Sequence, residues 1–426
     1  MNFRQMSTRA IQPNFGKISD YDLTKLGIDK LNSLRMVDNI DELKKYPQNI
    51  IIAEAIKDVE FVQNKFKKQN LKKKVKYVMG LGMFEQLHID PRNRKDKILK
   101  PSQIKFSVMY KPYQGQDLSD KTILVWRTGG IGDLLFIQPN LIYLKQKYPT
   151  CKIKFACGPQ YQPMVALWPC VDEILNLPFS FNHLMNSDYH VVFEGVIERT
   201  KQAEKENAYH LFTRWMGLNL PDELLLPKQE PKKENRELVE NKISEWGFKG
   251  KDFILIQLKA SSPIRTPSLD VWLKIVDKLL KEGNKIIITD APHNSEMIEK
   301  FLLMVDQKYI NKDIFNFAPF SLSLDYSISL CSLAKIVVGT DSAMMHIAAS
   351  VDVPLVGIYG PFPGEIRLSL YKNSDWVNCK KECAPCFSHT QTPCKNSKGG
   401  YSECYSNLDI EEFITKFRNL LNKKNE

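Results

Sequence analysis

The sequence predicts an α/β protein with two doubly wound domains facing each other across a cleft, preceded by an N-terminal extension. Three observations carry this prediction. From Lys121 onward short apolar runs alternate with helix-length amphipathic stretches, the signature of crossover units on parallel strands. The alternation breaks over the proline- and charge-rich stretch Pro221 to Arg236 and then resumes. Residues 1–118 lack the pattern and are basic, with 23 Lys and Arg against 13 Asp and Glu, so they hold +10 of the chain's net +11.

The 426 residues exceed one ordinary core and imply roughly two to three domains. Boundaries follow the pattern: a basic extension of unnamed fold over 1–118, a first domain over 119–235 and a second over 236–426. In the first domain, strands are expected at Ile123–Trp126, Lys152–Cys157, Glu173–Leu177 and Tyr189–Phe193. Helices are expected at Leu134–Lys147 and around Met164–Trp168. In the second, strands at Phe253–Leu258, Lys285–Thr289, Ile314–Phe317, Lys335–Val338 and Pro354–Tyr359 alternate with helices at Leu269–Lys281, Ser295–Val305, Asp325–Ala334 and Asp341–Ser350. Runs such as Ile286 to Ile288 and Ile336 to Val338 suit parallel strands covered on both faces. An amphipathic helix, Leu408–Leu421, closes the chain.

Within the extension, Lys65 to Lys76 carries seven lysines. Their summed field suits an anionic membrane surface or nucleic acid, and a solvated helix face is the alternative. Aromatic residues are not interleaved as a single-strand binder would have them, so nucleic acid is disfavoured. No stretch approaches a membrane span, and Met1 to Asp20 lacks the apolar centre of a secretory signal. A cytoplasmic protein is expected, with peripheral contact at the inner membrane face.

The segment most suited to a ligand is Arg127-Thr128-Gly129-Gly130-Ile131-Gly132-Asp133. It reads as strand, glycine-rich turn and helix start, where backbone N–H groups meet a ligand at a sheet edge. Gly129, Gly130 and Gly132 permit close backbone approach, and Asp133 falls in the first helical turn. Neither a P-loop lysine nor the third glycine of a dinucleotide fingerprint follows. The alternative is a tight turn with an ordinary helix cap. In the second domain, Lys259, Ser261, Ser262, Arg265 and Thr266 follow a strand and would suit a diphosphate. Asp341, Ser342, Ala343, Met344 and His346 open a helix at the same sheet edge, and Gly360-Pro361 forms a rigid turn that shapes the cleft.

Five of the nine cysteines lie between Cys379 and Cys404. Cys383 and Cys386 have the separation that lets two thiolates hold one tetrahedral ion, with Cys394 and Cys404 to complete the set and Cys379 as the spare. Reduced or crosslinked loop thiols are the alternative. Cys151, Cys157, Cys170 and Cys331 read as core residues.

Taken in order, these motifs over about residues 119–421 resemble glycosyltransferase family 9, the ADP-heptose lipopolysaccharide heptosyltransferases. The resemblance implies a GT-B fold of two Rossmann-like domains and inverting, metal-independent transfer of a heptose or related sugar from a nucleotide donor to a lipid-linked or surface glycan. It makes Asp133 the general base, Arg265 a phosphate contact, and Asp341, Ser342 and His346 part of the donor site. It also implies a structural zinc or iron at the cysteines, which in protein-directed relatives bind iron. The chain departs from the family where Ala343 replaces a common glycine. At the strand expected to supply an acidic contact to the donor ribose, Ile314 to Phe317, no acidic residue stands. Two other functions share the features: nucleic-acid binding on a degenerate GT-B scaffold, and nucleotide-sugar epimerisation or hydrolysis.

Overall fold

The protein is described by a computed structural model covering residues 34–36, 50–63, 67–71, 73, 76–80, 104–109 and 112–423, less 178, 180–182, 185, 194–195, 198–199, 389, 391 and 398–399. In the extension, β1 (Leu34–Met36), β2 (Ile50–Ala55), β5 (Lys76–Gly80) and β6 (Ile104–Met109) form an antiparallel sheet in the order β1-β6-β2-β5. Strands β3 (Val59–Gln63) and β4 (Lys67–Leu71) pair as an antiparallel hairpin. The lysine-rich stretch is therefore strand at Lys67, Lys68 and Lys76 and turn at Lys73, so a helix face is ruled out at these positions. Lys65, Lys72 and Lys74 lie outside the described residues.

The chain joins the next sheet before Lys121. Pro112 bridges His190, and Tyr113 N–H donates to the His190 carbonyl at 2.9 Å. That sheet has β7 (Thr122–Trp126), β8 (Lys152–Cys157), β9 (Glu173–Asn176) and β10 (Tyr189–Val192), all parallel, in the order β10-β7-β8-β9. Helices α1 (Ile131–Lys147), α2 (Gln162–Val165) and α3 (Ala208–Trp215) accompany it.

The second lobe opens with α4 (Lys233–Glu245), which the charged linker composition had masked; only Val239 and Ile243 are buried along it. Six parallel strands follow: β11 (Phe253–Ile256), β12 (Lys285–Ile288), β13 (Ile314–Asn316), β14 (Ile336–Thr340), β15 (Leu355–Tyr359) and β16 (Ser374–Asn378). Their order is β13-β12-β11-β14-β15-β16. Between them run α5 (Leu269–Lys281), α6 (Ser295–Leu302), α7 (Leu324–Leu333), α8 (Ala343–Ser350) and α9 (Glu365–Leu368), and α10 (Ile410–Asn422) packs on β15 and β16. The first four strands are almost wholly apolar because helices cover both faces.

Strand order reverses between β7 and β10 in one lobe and between β11 and β14 in the other. Such switch points leave a crevice at the carboxyl ends of the strands. The lobes are oriented so that both crevices open into one space. Helix α8 lies against α1, with the His346 and Phe136 rings 4.8 Å apart, edge to face. One apolar cluster runs through both lobes, including Phe136, Tyr209 and Phe212 from the first and Met344, Ile347 and Tyr371 from the second. The crossing segment is pinned as well: Gln138 exchanges two hydrogen bonds with the Lys228 backbone, and Gln229 N–H donates to the Ser350 carbonyl.

Candidate active site

Both lobes line one cavity of about 600 Å³. On the first lobe its wall is the loop after β7. Gly130 sits at φ +84°, a conformation that glycine adopts without Cβ strain, and an added Cβ would meet Asp133 Oδ2 at 2.2 Å. The glycine thus leaves space for the carboxylate. Arg127, 1% exposed, is held by three acceptors: Nε donates to the Gly129 carbonyl at 3.0 Å, Nη1 to the Phe193 carbonyl at 2.6 Å and Nη2 to Asp133 Oδ2 at 2.7 Å. A fixed guanidinium therefore orients a carboxylate at the first turn of α1.

Across the cavity, Asp341 sits between two arginines. Arg265 Nη1 lies 3.5 Å from its Oδ2 and donates to its carbonyl at 3.0 Å, while Arg367 Nε lies 3.4 Å from its Oδ1. Two guanidinium groups against one carboxylate leave this wall cationic, the field an incoming diphosphate needs. Ser342 caps α8 in extended conformation and donates from Oγ to Gln257 Oε1 at 2.7 Å. Ser261 Oγ accepts from Arg265 Nη2 at 2.9 Å, and Lys259 Nζ donates to Asn294 Oδ1 at 3.1 Å.

His346 projects into the same space from α8. A Cβ added at Gly132 would lie 3.0 Å from its Cδ2, so this glycine also makes room for a facing side chain. Burial pushes the imidazole down to about 4, since the Asp341 charge compensates only in part and Arg367 and Arg265 oppose protonation. At neutral pH the ring is uncharged.

Of the residues singled out from sequence, Arg127, Gly129, Gly130, Gly132, Asp133, Lys259, Ser261, Ser262, Arg265, Asp341, Ser342, Ala343 and His346 line the cavity. Four do not. Thr266 is a buttress: its hydroxyl accepts from the Ala260 N–H at 3.2 Å and donates to the Ser262 carbonyl at 3.0 Å. Met344 is packed in the apolar cluster between the lobes. Gly360 has no room for a side chain, because an added Cβ would meet Cys404 Sγ at 2.6 Å, and the Pro361 carbonyl accepts from Phe387 N–H. That turn seats the cysteine-rich segment, whose Ser388 and Thr390 form part of the cavity wall.

Sequence reasoning missed Arg367, Gln257, Asp290 and Asn294. It sought an acidic donor contact at Ile314 to Phe317, yet that edge strand packs Phe315 and Phe317 against Trp246 and lies outside the cavity lining. The loop after β12 places a carboxyl, Asp290, in the cavity wall. Asp290 Oδ1 accepts from Ala291 N–H at 2.7 Å and Asn294 Nδ2 at 2.9 Å, while Oδ2 is buried without a partner among the described residues. Burial holds this carboxyl above the usual carboxylate range. The available signal was position, an Asp just past an apolar parallel strand.

The expected metal set is not assembled. Cys383 and Cys386 are exposed and Cys404 is buried beside Ser402 Oγ at 2.9 Å. Among the described residues no three His, Cys, Asp or Glu side chains converge as metal ligands. A structural zinc or iron at Cys383, Cys386, Cys394 and Cys404 therefore finds no support in this arrangement. Cys404 packs under Gly360, where burial, and to a lesser degree the nearby Cys386, Cys394 and Cys383, push its thiol up, and Cys383 Sγ is 4.0 Å from Asn396 Nδ2.

Two parallel-stranded lobes facing one cavity, with a carboxylate on one wall and two arginines on the other, make a GT-B type architecture. The family model for glycosyltransferase family 9 (heptosyltransferase) matches residues 194–396. That match spans just under half of the chain, from the end of the first lobe through most of the second, and makes this stretch similar to the family. Solved structures share the fold at low identity. Escherichia coli ADP-heptose lps heptosyltransferase II is 17% identical, with a TM-score of 0.55 over 72% of this chain and all (100%) of that one. A family 9 glycosyl transferase from Veillonella parvula DSM 2008 is 16% identical, at 0.56 over 72% and 99%. The iron-containing dodecameric glycosyltransferase TibC from enterotoxigenic E. coli H10407 is 11% identical, at 0.51 over 88% and 92%. No curated protein matches the sequence.

Proposed function

We propose that the protein transfers a heptose or related sugar, with inversion, from a nucleotide donor, ADP-linked by family likeness, to a hydroxyl of a lipopolysaccharide-type or other surface glycan. The observation that carries this reading is the placement of Asp133 on one wall of a cavity whose other wall holds Arg265 and Arg367. In this reading Asp133 takes the proton from the attacking hydroxyl, and Arg127 keeps its carboxylate aimed at the cavity. The leaving diphosphate takes its countercharge from Arg265, Arg367 and Lys259 and hydrogen bonds from Ser261 and the start of α8. Asp290 Oδ2 is suited to accept from a hydroxyl of the donor's nucleoside. The basic extension serves an anionic partner such as acceptor phosphates. Peripheral contact with an anionic membrane at the cytoplasmic face belongs to the same reading.

Thermal-shift measurements with ADP, UDP, GDP and CMP identify the base, because a ligand that binds only the native state stabilises it by about 2.7 kcal/mol at a hundredfold excess over Kd. ADP is expected to give the largest shift. Asp133→Asn is expected to lower transfer at least roughly 100-fold, the usual worth of a general base, with nucleotide stabilisation retained. An active Asn variant would remove the assigned role.

A further inference from the structure

Behind His346 runs a hydrogen-bond chain that the proposed chemistry has not used. His346 Nδ1 is 2.7 Å from Tyr371 Oη, which is 2.9 Å from Tyr209 Oη. Tyr371 and His346 belong to the second lobe; Tyr209 stands on α3 of the first. All three are buried, at 7%, 4% and 0% exposure.

The direction of this chain follows from counting donors. Tyr209 Oη has one partner among the described residues, Tyr371 Oη. A buried O–H without an acceptor is costlier than an oxygen with a spare lone pair, so the Tyr209 proton is spent on Tyr371. Tyr371 must then give its own proton to His346 Nδ1. A neutral imidazole that accepts at Nδ1 carries its hydrogen at Nε2. The Nε2 atom lies on the Gly132 side of the ring, 3.6 Å from where a Gly132 Cβ would stand, in a side chain that lines the cavity. No protein partner takes it among the described residues.

We propose that Tyr209 and Tyr371 are positioning residues that fix His346 as its Nε2–H tautomer and present that N–H to a diphosphate oxygen of the donor. The proposal rests on the donor-cavity reading above. Because Tyr209 comes from the opposite lobe, the relay is complete only when the lobes are apposed, and it ties the donor contact to closure. The ring faces Asp341, Arg265 and Arg367 on its own lobe and the Asp133 loop on the other. It stays neutral there, so it stabilises charge by hydrogen bonding and donates no proton.

The test is ¹⁵N histidine NMR of the full-length protein, with the His346 signals assigned by their loss in His346→Gln. The expected spectrum has a pyridine-type Nδ1 and a pyrrole-type Nε2 between pH 6 and 8. Tyr371→Phe is expected to abolish the preference and Tyr209→Phe to weaken it. An Nδ1–H form in the unsubstituted protein, or an unchanged tautomer in Tyr371→Phe, overturns the relay. Inorganic pyrophosphate, at a concentration that raises the melting temperature, is expected to move the Nε2 signal. No movement there overturns the contact. Absent sugar transfer with this spectroscopic signature intact counts against the transferase reading alone and leaves the relay standing.

Discussion

Arg127 and Asp133 show how much of the site one ion pair organises. The arginine is buried and its Nε, Nη1 and Nη2 each meet an acceptor, so Arg127→Met takes a hydrogen-bond donor from Asp133 and from the Gly129 and Phe193 carbonyls at once. Asp133 is partly exposed, so the loss expected in chemical denaturation is roughly 1–3 kcal/mol, the cost of leaving hydrogen-bonding groups unmatched. Gly130 is a residue-scale constraint of a different kind. Gly130→Ala combines a positive φ with a Cβ in the place of Asp133 Oδ2, so a destabilisation of about 1–2 kcal/mol and a fall in kcat are expected, with nucleotide binding retained. His346 sets a pH dependence. Its folded value, about 4, lies below the ordinary 6.5, so the unfolded chain binds a proton that the folded one refuses. Stability is then complete above pH 6.5 and declines as pH falls toward 4, by about 3 kcal/mol in all. Melting temperatures from pH 7 to 5 are expected to fall less steeply in His346→Gln than in the unsubstituted protein.

At the scale of elements, strand-to-helix turns were legible because their chemistry is local. An apolar run followed by a polar or glycine-bearing helix start marks a turn at a sheet edge wherever the chain then goes, and residues of Arg127 to Asp133 and of Asp341 to His346 both reach the cavity wall. Helix α4 was not legible: its face buries only Val239 and Ile243, too little apolar periodicity to stand out among charges. Strand β16, Ser-Asp-Trp-Val-Asn, is an edge strand whose composition is half polar, so it lacked the apolar signature of its neighbours. The cysteine-rich segment was read for its spacing, whereas its observed part is mechanical. Its Ser402 N–H donates to the Thr266 carbonyl, and Tyr405 Oη donates to the Arg265 carbonyl at 3.2 Å. Tyr405→Phe is accordingly expected to weaken nucleotide-induced stabilisation by loosening the Arg265 loop, measured by thermal shift.

Over the whole molecule, the lobes are joined by a continuous apolar cluster and by the Gln138–Lys228 and Gln229–Ser350 bonds, so the cavity is set by how two independent sheets dock. The extension attaches through Pro112 and Tyr113 along β10. Removal of residues 1–111 is therefore expected to spare nucleotide-induced stabilisation while reducing binding to anionic acceptors or vesicles and its dependence on salt. Equal salt-sensitive binding by the shortened chain would remove the role given to the lysines. By itself the sequence determined the parallel-stranded lobes, their order and the loops that carry polar chemistry, because periodicity and turn residues act over a few positions. Only the tertiary structure decided that Asp290 lies in the cavity wall and the Ile314 strand outside it, that Arg367 joins Arg265 at Asp341, and that Tyr209 reaches His346 through Tyr371. Those are contacts between residues far apart in the chain, and no local pattern records them, since they exist only once the two lobes have packed.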